Sequence, residues 1–183
     1  MGARALPFGL VVAVILAGCG GGGGSSSTTS AADWANAYCS AAATWVASFQ
    51  SARESLKNNN GSTGPQSAVQ SVSLATNTFV IALGRLGKPD TANGDAAQEA
   101  AKQLGDNAQG HVARASAAVQ TNNENVTPAQ QAVVVRKQAT EAIAALADTT
   151  NQLEQDDPEL ADAMKTSSDC ATLKADLAKE TAG

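Results

Sequence analysis

The chain has 183 residues, with 12 basic against 17 acidic side chains, a formal net charge of −5 and few aromatic residues. Nucleic-acid-binding proteins cluster Lys and Arg on one surface, whereas the basic residues here are scattered among acids and amides, so the composition argues against nucleic acid as a partner. The same acidity argues against electrostatic attachment to anionic lipid. About 150 residues follow position 30, the common size of one domain, and their high alanine content favours an all-α fold.

The amino terminus follows the three-part order of a secretory signal. Arg4 supplies positive charge, and an almost uninterrupted apolar run covers residues 7–16. The run stops before Cys19 and five consecutive glycines, and is shorter than the roughly 20 apolar residues that a membrane-spanning helix needs. The pattern predicts export without a permanent span in this segment.

The residues Leu16-Ala17-Gly18-Cys19 match, at all four positions, the cleavage box of bacterial lipoprotein signals: Leu, a small residue, Gly or Ala, then Cys. The first 20 residues therefore resemble that family. The resemblance implies cleavage before Cys19, a diacylglyceryl group on its sulfur and acylation of the new amine, and two or more acyl chains anchor a protein stably. Gly20 in place of Asp implies an outer-membrane location if the source has two membranes. A plain secretory signal, with Cys19 as an ordinary thiol, is the alternative.

Three parts follow from this pattern. Residues 1–18 are the predicted signal peptide, residues 19–30 a lipid-anchored tether of Gly, Ser and Thr, and residues 31–183 a helical domain. The tether has almost nothing to bury, so it is expected to be a flexible coil that holds the domain off the membrane.

The first helix is predicted from about residue 31 to residue 57, with Ser30 as its N-cap and Asp33 three residues later as an acidic variant of the capping box. Apolar side chains recur there at steps of three and four and form the clearest stripe in the sequence. Both tryptophans and the only tyrosine lie on it, so this helix is expected to supply the large side chains of the core. The stripe consists of Trp34, Tyr38, Ala41, Trp45, Phe49, Ala52 and Leu56.

The second helix is predicted from a cap at Thr63 to about Leu86, with Gly87 then Pro89 as its stop. The expected buried row is Val69, Val72, Phe79, Leu83 and Leu86, with Leu74, Val80 and Ile81 widening it on either side.

The third helix is predicted over about residues 90–121 and is less regular. Its apolar residues keep helical spacing, but Gly94, Gly105 and Gly110 each weaken a helix interior by about 1 kcal/mol relative to alanine. We expect a kink or break between Gly105 and Gly110. Alternatively, the small residues there let two helices approach closely.

The fourth helix is predicted from the cap Thr127 and Pro128 to about residue 155, and Asp157-Pro158 opens a short fifth helix. A final helix is expected from Cys170 to about Leu177. The buried face of the fourth helix is predicted to consist of Val135, Ala139, Ala142, Leu146 and Leu153, with Val133, Ile143 and Ala147 beside them.

The three cysteines are expected to have two different roles. If Cys19 carries lipid, Cys39 and Cys170 remain as an even pair in an oxidising location, where a disulfide is expected. The alternative is two unpaired buried thiols. The sequence thus predicts an all-α, four-helix bundle with short C-terminal helices, stapled by one disulfide.

No catalytic, cofactor-binding or metal-binding set is predicted. His111 is the only histidine, and no nucleophile-elbow motif occurs. The glycine spacing of residues 105–110 imitates a phosphate-binding loop, but His111 follows where Lys is required. The acidic run of residues 154–162 lacks the pattern of a calcium loop, and its Asp157 is better explained as a helix cap.

The domain also resembles, loosely, the Ala-rich lipoproteins of high-GC bacteria, a likeness with no motif that carries a function. The expected function is therefore a non-enzymatic binding or scaffold module of the cell envelope, anchored through Cys19 on the extracytoplasmic face of the cell membrane, with an envelope protein as partner. The alternative is a carrier or sensor for a small apolar ligand held between the helices near Trp34, Trp45, Phe49 and Phe79.

Overall fold

A computed structural model describes residues 28–58, 63–120 and 126–181 of the chain. The predicted signal peptide, Cys19 and the tether before Thr28 lie outside these described residues. The described part consists of β1 (Thr28–Thr29), α1 (Ala31–Asn58), α2 (Thr63–Arg85), β2 (Lys88–Pro89), α3 (Gly94–Gln120), α4 (Pro128–Asp156), α5 (Pro158–Thr166) and α6 (Ser168–Thr181).

The predicted caps begin the helices with local hydrogen bonds. Ser30 Oγ accepts from the Asp33 backbone N–H at 3.1 Å and donates to the Asp33 carboxylate at 2.7 Å. Thr127 and Gln130 form a reciprocal capping box before Pro128, and the Asp157 carboxylate accepts from the Leu160 N–H. Helix α2, however, already includes Thr63, which was predicted to stand before it as a cap.

The helices form a bundle in which α1 packs on α2, α2 on α3, and α3 on α4. Helix α6 lies against α1 and runs parallel to it, because Cys39 meets Cys170 near the start of both helices and Arg53 meets Glu180 further along. The predicted Cys39–Cys170 disulfide is present, with a Cα–Cα distance of 4.8 Å. The all-α, disulfide-stapled bundle is therefore confirmed.

Aromatic side chains fill the half of the bundle nearest residue 28. The Trp45 ring stacks on Phe79 with centroids 4.7 Å apart, and Trp34 stacks on Tyr38 at 5.2 Å. Their polar atoms are satisfied inside the core, since Trp45 Nε1 donates to Thr76 at 2.9 Å and the Tyr38 hydroxyl bonds Thr150 at 3.0 Å. The stripe of α1 thus organises the core as predicted.

Burial raises the pKa of the Tyr38 phenol above its ordinary value of 10.0, and the bond to Thr150 only partly opposes this. Above pH 10 the unfolded chain therefore releases the phenol proton while the folded chain keeps it.

The free energy of unfolding should be unaffected by Tyr38 below pH 10 and should fall by about 1.4 kcal/mol per pH unit above it. In thermal melts between pH 9 and 11.5, the melting temperature should fall more steeply with pH for the wild type than for Tyr38→Phe. Equal slopes would contradict the assignment of this loss to Tyr38. Tyr38 is the only tyrosine, so its absorbance titration reports the same group.

The last tether residues belong to the folded body, contrary to the prediction of a flexible coil up to residue 30. Thr28 and Thr29 pair in parallel with Lys88 and Pro89, and Thr29 Oγ1 donates to the Leu86 carbonyl at 3.0 Å. We call this end of the bundle, where residues 28–30, 86–94 and 156–157 meet, the tethered pole. The opposite end, where α1 and α3 end and α2 and α4 begin, is the distal pole.

Gly87 makes the turn at the tethered pole possible. Its φ of 69° lies in the left-handed region that disfavours side chains, and its carbonyl accepts a hydrogen bond from Trp34 Nε1 at 3.2 Å. The predicted glycine stop of α2 therefore also connects α2 to the start of α1.

Two predictions about local structure are wrong. Helix α3 continues without a break through Gly105 and Gly110. Gly105 is buried beside Val80 and Leu83 of α2, but a Cβ there would lie 3.5 Å or more from their nearest atoms, an ordinary contact distance, so the packing of α2 on α3 does not require glycine at this position. Leu74, Ile81 and Val133, predicted to be buried, are 71%, 54% and 61% exposed, because no described helix covers those sides of α2 and α4.

Candidate functional site

Helices α1 and α2 contain two long stretches without charge. No Asp, Glu, Lys, Arg or His occurs in residues 34–52 or 58–84, although charged residues make up 16% of the chain. Charge near the start and end of α1 is limited to Asp33, Arg53, Glu54 and Lys57, and α2 carries Arg85 alone. Since α1 and α2 are neighbours, the two stretches form one surface.

A groove of about 510 Å³ runs along this surface between the two helices. Trp45 and Phe79 form its buried floor, and small side chains form its walls. Leu74 stands on its edge, and Ile81 lies seven residues further along the same exposed side of α2. We call the groove and these two side chains the uncharged face; it comprises Ser40, Ala41, Thr44, Trp45, Ser48, Ser71, Leu74, Ala75, Thr78, Phe79, Ile81 and Ala82.

Three of the five hydroxyl groups on the uncharged face, those of Thr44, Ser48 and Thr78, are already satisfied. Thr44 Oγ1 donates to the Ser40 carbonyl at 2.9 Å, Ser48 Oγ to the Thr44 carbonyl, and Thr78 Oγ1 to the Leu74 carbonyl, both at 3.1 Å. Each donor therefore bonds its own helix. Covering this surface with another protein would leave none of these donors without an acceptor and would bury no charge.

Sequence reasoning missed this face because it assigned Leu74 and Ile81 to the core. The absence of charge from two consecutive helices is visible in the sequence and could have indicated the face. Exposed large apolar side chains on a surface without charge are typical of an interaction site.

A second concave feature, the distal cleft, lies between α1, α2, α3 and α4 at the distal pole. Its enclosed volume is about 20 Å³, against about 510 Å³ for the groove between α1 and α2, so the cleft is nearly closed in this structure. The interior is lined by apolar side chains, and polar groups stand at the rim. The lining consists of Phe49, Ala52, Arg53, Leu56, Val69, Val72, His111, Val112, Ala115, Val135, Arg136, Gln138 and Ala139.

One side of the rim is rich in cations. Arg53 and Arg136 line both the distal cleft and a neighbouring open depression, which also contains Lys57 and Lys179. The acids there are Glu54 and Glu180, and Asp176 pairs with Lys179 at 2.8 Å, so one more positive than negative charge remains. Arg53 pairs with Glu180, whereas the side chains of Lys57 and Arg136 have no ion-pair partner among the residues that the structure describes. This basic rim consists of Arg53, Lys57, Arg136 and Lys179.

His111 lies on the other side of the rim, within a set of polar contacts. The buried Gln138 side chain accepts from Arg114 Nε at 2.7 Å and donates to Glu141 at 2.9 Å. Arg114 also lies 2.9 Å from His111 Nδ1. These contacts connect α3 to α4, so His111 belongs to a structural polar network.

The aromatic residues that were expected to hold a ligand instead fill their own space. Trp34, Trp45 and Phe79 are at most 2% exposed and pack against other rings. Of that predicted site, only Phe49 lines the distal cleft. A ligand between the helices would therefore lie at the distal pole and away from Trp34.

The chain matches no protein-family model, curated protein or solved structure in the comparisons. Within the described ranges, no three His, Cys, Asp or Glu side chains are placed to hold a metal ion. Residues 64–85 of α2 are long and apolar enough to cross a membrane by length and composition alone, a test that core helices also pass. Cys39 and Cys170 are fully buried in their disulfide, while the predicted lipidation site Cys19 lies outside the described residues.

Proposed function

We propose that this protein is a lipid-anchored, non-enzymatic binding or scaffold module outside the cytoplasm, which contacts an envelope protein through the uncharged face. The observation that carries the proposal is the groove between α1 and α2, a surface without charge that exposes Leu74 and Ile81. The lipoprotein-like residues Leu16 to Cys19 support the location.

The uncharged face has the size of a small contact. It covers residues 71–82 of α2, about 18 Å of helix, and two packed helices are about 20 Å wide. The resulting footprint of roughly 360 Å² is about half of the roughly 800 Å² that each partner buries in a standard interface, which is the range of weak or transient contacts. Small groove walls allow close approach of a partner helix, and Leu74 and Ile81 provide apolar anchors.

The tether fits this role. Thr28 follows Cys19 by nine positions, which limits the distance from the anchor to the tethered pole to about 32 Å. A tether of this length keeps the uncharged face within reach of the membrane surface and of proteins near it. A laterally placed membrane protein or another envelope protein can therefore contact it.

Charge placed on the uncharged face should disrupt the contact. We expect the double variant Leu74→Glu/Ile81→Glu to lose its partner, since a carboxylate buried in an apolar interface is strongly unfavourable. Sedimentation of gently solubilised native membranes should give a complex larger than one chain for the wild type and a single chain for this variant.

The matched control is Val133→Glu, which replaces a similarly exposed apolar residue on α4. It should sediment like the wild type. Identical sedimentation of wild type and Leu74→Glu/Ile81→Glu would contradict the proposed binding face. The mass of the complex distinguishes a second copy of the chain from a different protein.

A second candidate function, a carrier for a small apolar ligand, is supported by the distal cleft. The cleft has an apolar interior and polar groups at the rim, the usual composition of a ligand site. This candidate differs from the sequence expectation in position, because the rings of Trp34, Trp45 and Phe79 leave no space between them.

A further inference from the structure

We propose that the distal cleft binds a single-chain amphiphile with an anionic headgroup, its apolar chain between the helices and its headgroup against Arg53 and Arg136. This inference rests on the second candidate function and adds the chemical class of the ligand. It is independent of the uncharged face.

The interior of the cleft suits an apolar chain. Phe49, Leu56, Val72, Val112 and Val135 contribute hydrocarbon from all four helices. Three alanines, at 52, 115 and 139, keep the lining side chains short. Leu56, Val72 and Val135 keep 6–7% exposure, so their side chains are accessible from the mouth of the cleft.

The rim suits an anion. The chain as a whole is acidic, yet four cations and two acids surround the depression beside the mouth of the cleft. Arg136 is exposed and forms no ion pair with any described residue, so a ligand can bind it without breaking an existing contact. A guanidinium binds carboxylate and phosphate oxygens through paired N–H groups, which favours either headgroup over a neutral or cationic one.

Arg53 at the rim already has a partner. Glu180 in the last turn of α6 pairs with its guanidinium, and the Glu180 side chain is 9% exposed and lines the depression beside the cleft. The enclosed space of about 20 Å³ holds only a water-sized group, so a chain enters only when the lining helices α1 to α4 move apart. An anionic headgroup can replace the Glu180 carboxylate on Arg53, which exchanges one charge-assisted contact for another.

The headgroup competes with Glu180 for Arg53. Removing the charge of Glu180 by Glu180→Gln should leave the guanidinium of Arg53 without its carboxylate partner and free for an anion.

The test uses the mature chain from residue 19 with Cys19→Ser, which keeps every described residue and carries no lipid of its own. Calorimetry below the micelle concentration compares dodecanoate and dodecyl phosphate with dodecyltrimethylammonium, which has the same chain and a cationic headgroup. We expect both anions to bind at least tenfold more tightly than the cation. A preference between the two anions identifies the headgroup.

Variants locate the binding site. Arg136→Glu should weaken anion binding at least tenfold, and Glu180→Gln should strengthen it severalfold. The charge-reversal control Lys165→Glu, on the exposed side of α5, should leave the affinity unchanged. Ala139→Phe should fill the cleft and abolish binding; since it lies in the core, the exposed Arg136→Glu variant keeps the test valid if Ala139→Phe does not fold.

The outcomes distinguish the proposed anionic class of the ligand from the carrier function on which it rests. Equal binding of the three probes, abolished by Ala139→Phe, would overturn the anionic class and leave the carrier function standing. Binding by none of the probes would overturn both. Anion binding that is unaffected by Arg136→Glu would overturn the assignment to this cleft.

Discussion

Removing the Cys39–Cys170 disulfide is expected to lower the free energy of unfolding by up to about 5 kcal/mol. The bridge joins residues 131 positions apart, and in the chain-entropy model a loop of that length gives close to this maximum. Single domains are stable by only about 5–15 kcal/mol, so the loss is a large fraction of the total. The melting temperature should fall by roughly 10–20 °C.

Denaturant titration of Cys39→Ala/Cys170→Ala, beside wild type with and without reductant, measures this loss. The reduced wild type keeps both side chains, so comparing it with the double variant separates the cross-link from the truncation. Hydrogen exchange should increase first in α6, which is otherwise held by Leu173, Leu177 and its ion pairs to α1 and α4. A loss below about 1 kcal/mol would contradict a stabilising role for the bridge.

Replacing Cys19 with Ser is expected to release the protein from the membrane or to stall its processing. One acyl chain gives only marginal membrane binding, and a serine hydroxyl receives no thioether-linked lipid, so the variant would lack the anchor. The acidic composition supplies no electrostatic substitute. Membrane fractionation with a carbonate wash should recover wild type in the pellet and the variant in the supernatant or as an uncleaved precursor.

Cys39→Ala is the matched control, because it removes a cysteine without touching Leu16 to Cys19. It should remain with the membrane. Carbonate-resistant membrane retention of a fully processed Cys19→Ser variant would count against lipidation and favour a different means of attachment.

Helix positions and the cross-link could be predicted from the sequence because their causes are local or compositional. Ser30, Thr127 and Asp157 cap helices through bonds to residues three positions away, which the sequence displays directly. The aromatic stripe of α1 has an unambiguous period, and Cys39 and Cys170 were the only pair left once Cys19 was set aside.

The side of a helix that neighbours cover could not be predicted in the same way. Helix α2 has apolar residues on more than one side, and only the positions of α1, α3 and α4 decide that Phe79 is covered and Leu74 is not. Likewise, propensity disfavours Gly105 and Gly110 within a helix, but the packing of α3 against both α2 and α4 outweighs this cost. Tertiary contacts therefore determined both the uncharged face and the continuity of α3.

The candidate ligand site illustrates the same limit. Trp45 lies 31 positions before Thr76, and Phe79 lies 45 positions after Trp34. The sequence alone cannot tell whether rings so far apart in the chain enclose a cavity or fill it. Their stacking at 4.7 Å fills it. The distal cleft depends on how α1, α2, α3 and α4 pack together at the distal pole, which no local pattern specifies.

Photo-crosslinking in intact cells tests the binding role of the uncharged face most directly. A benzophenone side chain is placed at position 74 or 78 within the face, and at position 133 on α4 as the control. We predict one discrete adduct from positions 74 and 78, lost when Ile81 is changed to Glu, and no such adduct from position 133. The same adducts from all three positions, or none from 74 and 78, would contradict the account.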